Sequence, residues 1–210
     1  MNPMPTVLET RGLLKRFCGI TPTNEVSIKI ERGARRALIG PNGAGKTTLI
    51  NLLTGVLEPT SGTIWLDGVD ITHVAPHRRA RRGIHLDDVM HLKVRHLAYG
   101  KRRLLEMATA LAGQPRVLLL DEPVAGVPEG ERQEIFDIVA ALPADVSVLL
   151  IEHDMDLVFN FASSVTVLVN GAVFAEGDVQ TISNDARVKA VYLGEGRSGD
   201  AHSTEAGLCG

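Results

Sequence analysis

The residues whose types and spacing most clearly imply chemistry lie between positions 40 and 47, where the sequence reads Gly-Pro-Asn-Gly-Ala-Gly-Lys-Thr. This is the G-x-x-x-x-G-K-T pattern of a phosphate-binding loop. Its glycines let successive backbone N–H groups point into one anion-sized hollow. Lys46 supplies an ammonium group for the β- and γ-phosphates, and the Thr47 hydroxyl is a suitable oxygen ligand for Mg²⁺. We therefore predict that a nucleoside triphosphate is bound by the loop and the residue after it: Gly40, Pro41, Asn42, Gly43, Ala44, Gly45, Lys46, Thr47 and Thr48.

The elements that must position this loop are visible on both sides of it. Residues 37–39 form an apolar run suited to a buried strand, and residues 48–54 have the apolar spacing of a helix that Gly55 would cap. The loop would thus lie at a helix N-terminus, where the helix dipole also favours phosphate. A dinucleotide-binding fingerprint is the alternative, but Thr48 stands where its third glycine belongs.

Two adjacent acids, Asp121 and Glu122, follow the apolar run 117–120. A carboxylate at the end of a buried strand costs free energy unless a cation or hydrogen bonds receive it. After a phosphate-binding loop this pair predicts the Walker B motif, in which Asp121 orients the Mg²⁺ shell and Glu122 polarises the attacking water. The alternative is a plain helix cap, which the following Pro123 permits.

Three further features have both a functional and a structural interpretation. His153 follows the apolar run 146–151 in a position to meet a γ-phosphate, although a lone histidine is more often structural. Phe17 precedes a turn at Gly19, and composition alone favours a ring in the core. The basic run 77–82 is typical of a solvated helix face.

Length and composition limit the class of protein. With 210 residues, 44% of them hydrophobic, the default is one α/β domain with a sizeable core. A net charge of −3 disfavours nucleic acid as a main partner. Two distant cysteines, Cys18 and Cys209, fit a reducing cytosol, and no apolar run approaches the ~18 residues of a membrane span. We expect a soluble, intracellular chain that meets any membrane through a partner.

Periodicity places the remaining elements. Residues 7–14 and 25–30 are predicted strands, and Asp67-Gly68 and Asn170-Gly171 each predict a hairpin. Residues from 101, 129–142 and 184–193 are predicted helices. The segment 196–210 has almost no apolar content, so we expect it to be a disordered tail after a single domain at 1–195.

Residues 97–101, Leu-Ala-Tyr-Gly-Lys, resemble the signature motif of the ATP-binding-cassette (ABC) ATPases. The motif order also resembles that family: Phe17 as the adenine-stacking aromatic, the Walker A loop, the signature, Walker B, and His153 as the switch histidine. Leu-Ala-Tyr-Gly, the Glu-His-Asp-Met at 152–155 and the Val-Tyr-Leu-Gly-Glu at 191–195 are similar to the branched-chain amino acid importer branch. The resemblance implies a P-loop NTPase of the ABC type with a mixed-sheet core and an antiparallel β-subdomain. It also implies that ATP and Mg²⁺ lie between two subunits, with Ala98, Tyr99 and Gly100 of one subunit facing the γ-phosphate on the other.

The main departure from the family pattern lies between positions 85 and 96. There the family has a strand that ends in the Q-loop glutamine, followed by a helical subdomain. This segment forms most of the groove in which a membrane subunit docks. The only glutamines here are Gln114, Gln133 and Gln180. We therefore expect a cassette fold with a truncated helical subdomain, of which 85–96 is the remnant. A metal site formed by His85, Asp87, Asp88, His91 and His96 is the alternative for this stretch, but the spacing matches no common zinc pattern. The family's D-loop position, 124–129, also lacks the usual aspartate.

The resemblance implies an ATP-hydrolysing importer subunit. It would form a homo- or heterodimer with a second cassette, bind transmembrane permease subunits, and sit peripherally on the cytoplasmic face of the membrane. A degenerate ATP-binding module with little hydrolysis is the alternative from another class. A cassette ATPase of DNA repair or translation is a third, against which the absence of a basic surface or tandem cassette counts.

Overall fold

A computed structural model describes residues 5–86, 99–153 and 155–195 of the chain. The expected tail at 196–210, Ala98 and most of the 85–96 remnant lie outside these residues. The described helices are α1 Lys46–Thr54, α2 Pro76–Arg81, α3 Tyr99–Ala112, α4 Glu129–Ala140, α5 Met155–Phe161, α6 Val179–Asn184 and α7 Ala186–Glu195. None of them is long and apolar enough to cross a membrane.

Within the described ranges, the main sheet has six strands, five of them parallel. Its strands are β4 Arg35–Ile39, β7 Ile84–Leu86, β8 Val117–Asp121, β9 Ser147–Ile151, β10 Ser164–Val169 and β11 Ala172–Asp178. Their order is β11-β10-β4-β9-β8-β7, and only β11 pairs antiparallel. The predicted apolar runs form β8 and β9, whose uninterrupted apolar sequence suits strands that are covered on both faces. Because β7 is an edge strand, the expected subdomain would leave the core from its rim.

A second, antiparallel sheet packs on one face of the main sheet. It consists of β1 Thr6–Phe17, β2 Ile20–Val26, β3 Lys29–Glu31, β5 Ser61–Leu66 and β6 Val69–Asp70. Leu8, Ile64 and Ile30 of this sheet share a core with Leu49 of α1 and Leu119 of β8. The predicted mixed-sheet core with an antiparallel β-subdomain is confirmed.

The opposite face of the main sheet is covered by helices. Leu118 and Leu150 pack with Met107 of α3 and Phe136 of α4. Further along the sheet, Val167 packs with residues of α5, α6 and α7. Both hairpins predicted from Asp-Gly and Asn-Gly are present, as β5–β6 and β10–β11.

The prediction of a fully solvated basic run was wrong at one position. Arg78, Arg81 and Arg82 are exposed, but Arg79 of α2 is 2% exposed. Its guanidinium donates to four backbone oxygens, which are Leu52 O and Leu53 O at the end of α1 together with Thr72 O and Val74 O. These acceptors satisfy a cation that could not otherwise be buried, and Gly55 leaves the room for it. Arg79 therefore fixes the C-terminal end of the helix that begins at the phosphate-binding loop.

Candidate nucleotide site

The phosphate-binding loop connects β4 to α1, as the sequence predicts, and two of its glycines are required by close approach. Gly45 has a φ of 94°, and a Cβ there would lie 1.8 Å from Pro22 O. A Cβ on Gly40 would lie 2.3 Å from Leu168 O. The loop is thus pressed against the backbones of β2 and β10. Only residues without side chains allow this packing.

The open side of the loop offers hydrogen-bond donors and positive charge. The backbone N–H groups of Gly43 and Gly45 have no acceptor in the described part of the chain. The N-cap residue of α1 is Gly45, which has no side chain to cap the helix, and the first turn of α1 carries no acid. The Lys46 ammonium donates to Gly40 O at 2.6 Å and Pro41 O at 2.9 Å, so it lies over the loop. Amide donors and an ammonium around one hollow fit a chain of phosphates.

A backbone clamp holds the loop from behind. Gly171, at the β10–β11 turn, donates its N–H to Ala44 O at 3.0 Å and accepts from the N–H of Asn24 at 2.8 Å. A Cβ on Gly171 would lie 2.7 Å from Thr21 O, so this turn also approaches β2 closely. The β10–β11 turn, which is distant from the loop in the sequence, therefore holds the shape of the loop without a ligand.

Phe17 is not a core ring. It ends β1, pairs with Ile20 across the hairpin, and is 39% exposed. The Lys15 ammonium lies 5.0 Å from the ring centroid. Ile20 and Pro22 belong to the same strand, and Pro22 touches the loop at Gly45. An exposed aromatic on the hairpin that supports the loop is suited to stacking a base.

The predicted acids and histidine meet at the carboxyl edge of the main sheet. Asp121 pairs with Ile151, so the chains leave β8 and β9 side by side. The Glu122 N–H donates to Ile151 O at 2.9 Å, and Glu122 has a φ of 47°. The His153 Nδ1 lies 3.7 Å from Glu122 Oε1, and both side chains are largely open to solvent. A carboxylate and an imidazole are thus paired on the edge that also carries the loop.

Residues that could hold Mg²⁺ are suitably placed in the chain. Thr47 is exposed in the first turn of α1, and Asp121 is half-buried at the end of β8. Both supply the hard oxygen ligands that Mg²⁺ prefers. Elsewhere in the described ranges, no group of three or more His, Cys, Asp or Glu residues could hold a metal. Of the alternative metal set at 85–96, only His85 lies among the described residues.

One buried acid beside the site was not among the predicted residues. Glu152 is 1% exposed, and burial raises the pKa of its carboxyl group above the usual range. The backbone N–H groups of His153 and Val124 act in the opposite direction. The argument that identified Asp121 and Glu122, an acid directly after a buried strand, applies equally to Glu152 and could have found it.

The signature residues are described only in part. Tyr99 and Gly100 form the start of α3, and Ala98 lies outside the described residues. A cavity of about 540 Å³ in the described part of the chain lies elsewhere. It is lined by residues including Arg82, Gly83 and Arg116, which precede β7 and β8. It therefore opens at the amino edge of the sheet, opposite the loop.

Sequence comparison identifies a family. A family described as "ABC transporter" matches residues 23–86 and 82–125. The high-affinity branched-chain amino acid transport ATP-binding protein BraF of Pseudomonas aeruginosa is 32% identical, over 90% of this chain and 98% of that protein. The protein LivG of Escherichia coli, with the same description, is 31% identical over the same shares.

Solved structures agree with this. A nucleotide-free ATP-binding cassette from an ABC transporter superposes with a TM-score of 0.82 at 26% identity, covering 89% of this chain and 98% of that one. An ATP-binding cassette of an ABC transporter in its ADP conformation also has a TM-score of 0.82, at 27% identity, covering 90% of this chain and 99% of that one.

The alignments also show a difference in length. About 190 residues, 90% of this chain of 210, are spread over 250 aligned positions of BraF. About 60 positions of the relative therefore have no counterpart here. The two family segments meet at residues 82–86, in front of the 12 residues, 87–98, that connect β7 to α3.

Proposed function

This chain belongs to the ABC transporter family of ATP-binding subunits, and we propose that it is the ATPase subunit of an importer for branched-chain amino acids or related small solutes. The observation that carries the proposal is the phosphate-binding loop of β4–α1 on the same sheet edge as Asp121, Glu122 and His153. The curated relatives BraF and LivG are branched-chain amino acid transport proteins by description, which supports this solute class.

In the proposed complex the loop binds the triphosphate of ATP. The N–H groups of Gly43 and Gly45 donate to phosphate oxygens, and Lys46 exchanges loop carbonyls for the β- and γ-phosphates. Phe17 stacks on the adenine from the β1–β2 hairpin. These are ground-state contacts, so they determine affinity more than rate.

Hydrolysis depends on the residues after β8 and β9. Glu122 orients the attacking water and accepts its proton, and His153 contacts the γ-phosphate from the neighbouring strand end. When bound, Mg²⁺ would be held by Thr47 and Asp121 and would neutralise charge on the phosphates. Because His153 lies beside Glu122, the two side chains restrain each other's position at the reacting end of the nucleotide.

The complete site requires a second cassette, in a homo- or heterodimer. Its Ala98, Tyr99 and Gly100 would close over the nucleotide with the start of α3, while Glu122 and His153 act from the first subunit. Transmembrane permease subunits would hold the dimer at the cytoplasmic face of the membrane. A net charge of −3 gives no reason to add nucleic acid to these partners.

A second candidate function is a degenerate ATP-binding module with little hydrolysis or transport coupling. It is favoured by the direct connection from β7 to α3, with about 60 positions of the relatives unmatched. By family resemblance those positions hold the Q-loop glutamine and the permease groove. Loss of one ligand that positions Mg²⁺ and water slows chemistry more than it weakens binding.

ATPase turnover of the purified chain, with and without the permease subunits, separates the two candidates. The second candidate predicts ATP affinity typical of the family, turnover lower by roughly one to three orders of magnitude, and little stimulation by the permease. Inserting a full helical subdomain from a related cassette between Ile84 and Leu97 should recover turnover and stimulation. Brisk, permease-stimulated hydrolysis by the chain as it stands would instead exclude the degenerate module.

A further inference from the structure

The carboxyl group of Glu152 lies at the reacting edge of the site and has no role in the reaction described above. Glu152 directly follows β9, all five residues of which are buried. Across the sheet, Glu122 follows β8 in the same register, because Asp121 pairs with Ile151. Glu122 extends into solvent with 44% of its side chain exposed, whereas the side chain of Glu152 is 1% exposed. The two neighbouring acids thus occupy opposite environments.

Glu152 contacts its neighbour His153 and the segment that follows Glu122. Its Oε2 accepts the backbone N–H of His153 at 3.2 Å and lies 3.9 Å from the His153 Nδ1. The backbone N–H of Val124, two residues after Glu122, is close enough to the carboxyl group to lower its pKa. Its Oε1 is buried and has no hydrogen-bond partner among the described residues.

This arrangement is energetically costly for a purely structural position. A buried polar atom without a partner destabilises the fold, and an apolar side chain would continue the core of β9 without that cost. The segments that the carboxyl group joins carry Glu122 and His153. These are the side chains whose relative position the reaction depends on.

We propose that Glu152 is a positioning residue for hydrolysis, whose buried carboxyl oxygen fixes the backbone of His153 and so holds the imidazole against Glu122. The inference rests on the proposed ATPase function. The effect comes from Oε2 as a hydrogen-bond acceptor and not from a negative charge, because burial disfavours a full negative charge so close to Glu122. His153 and Glu122 are the charged or titratable groups that face Glu152 from its own and the adjacent strand end.

Two substitutions separate an acceptor oxygen from simple filling of space. Glu152→Gln keeps the side-chain length and the oxygen, and Glu152→Leu keeps only comparable volume. Glu134→Gln, on the exposed face of α4, is the matched control for loss of one charge. ADP binding and thermal melting of each full-length variant establish that it folds.

We expect Glu152→Leu to lower kcat roughly tenfold to a hundredfold with a KM for ATP within about threefold of the parent. Glu152→Gln should recover most of that turnover. Parental kcat in Glu152→Leu would overturn the inference. Equal losses in both Glu152 variants would also overturn it, because glutamine retains the oxygen.

A second measurement does not depend on catalysis. In ¹⁵N-labelled, nucleotide-free protein, the His153 amide proton should shift upfield in Glu152→Leu, through loss of its hydrogen bond, and stay near the parental position in Glu152→Gln. If the parent hydrolyses no ATP, the proposed function fails and this shift alone decides the matter. An unmoved His153 resonance in Glu152→Leu would then refute the positioning role.

Discussion

The strongest prediction about stability concerns Arg79, because every hydrogen bond that its buried guanidinium makes among the described residues goes to a backbone oxygen. The four donor–acceptor distances, to Leu52, Leu53, Thr72 and Val74, are 2.7–2.8 Å. Burial lowers the pKa of Arg79, and the nearby carboxylate of Asp70 opposes this. The cation is therefore costly to bury, and its hydrogen bonds offset that cost.

Replacing Arg79 with Met keeps an unbranched apolar stem and removes every donor. Four buried carbonyls would lose a charge-assisted bond, at about 1.5–3 kcal/mol for each bond before the guanidinium's own dehydration is credited back. After that credit we expect a net cost of about 3–5 kcal/mol, at the upper end of single-substitution effects, because a buried hydrogen-bond network is broken. For a domain of this size, that corresponds to a fall in Tm of roughly 6–20 °C.

The measurement is urea and thermal unfolding followed by far-UV circular dichroism. Arg78→Met, one residue earlier on the exposed face of α2, is the control and should change the free energy of unfolding by less than about 0.5 kcal/mol. Equal stability of the two variants would refute the claim that Arg79 fixes the end of α1. It would mean instead that water replaces the guanidinium without penalty.

Three further predictions concern binding, chemistry and pH. Lys46→Ala should weaken ATP binding by about 1.5–3 kcal/mol in calorimetry, because it removes a charged donor to phosphate, and unchanged affinity would exclude this loop as the site. Glu122→Gln should bind ATP but lose turnover by roughly a hundredfold or more and accumulate as a nucleotide-bound dimer in size-exclusion chromatography, whereas a fully active variant would remove Glu122 from the mechanism. Burial against Gly113 lowers the pKa of His85, so the unfolded chain binds the proton more readily and the free energy of unfolding should fall as the pH drops through about 6.5. Between pH 7.5 and 5.5, urea unfolding should show a smaller fall in this free energy for His85→Asn than for the parent. An equal fall in both proteins would contradict this.

Features that depend on neighbouring residues in the sequence were predictable. Both hairpin turns need backbone with positive φ, and the structure has φ values of 47° and 75° at Asp67 and Gly68, and 49° and 79° at Asn170 and Gly171. These are the residue types that adopt that conformation most easily. The phosphate-binding loop is predictable for the same reason, since its glycines indicate positions where the backbone adopts a conformation that other residues adopt with difficulty.

Features that depend on a distant partner were not. The strand predicted at 25–30 is interrupted, because β2 ends at Val26 and β3 begins at Lys29. The hydroxyl of Thr10, on β1, donates to Val26 O and accepts from the N–H of Ile28, so it takes the place of regular pairing. Nothing in the sequence around residue 27 reveals this contact.

The wrong prediction for the basic run and the missing prediction for Glu152 have the same cause. Arg79 and Glu152 are ionisable residues that are buried against backbone groups. Arg79 donates to carbonyl groups that include Leu52 O, which is distant in the sequence, and Glu152 accepts from the N–H of its neighbour His153. Arg79 contacts the end of α1, the helix that begins with Lys46, and Glu152 lies between the end of β9 and His153. Burial of a charge is therefore where local sequence patterns were least informative about this site.

Three contacts within the core also explain why it can persist with so short a connection between β7 and α3. Arg79 joins α2 to α1, Gly171 joins the β10–β11 turn to the phosphate-binding loop, and Glu152 joins the ends of β9 and β8. All these contacts lie within the described core, and β7 pairs only at the rim of the sheet. A segment inserted after an edge strand can be lost without removing a layer of the core. Nucleotide binding should accordingly survive its loss, while the water-positioning and permease contacts that depend on that segment should not.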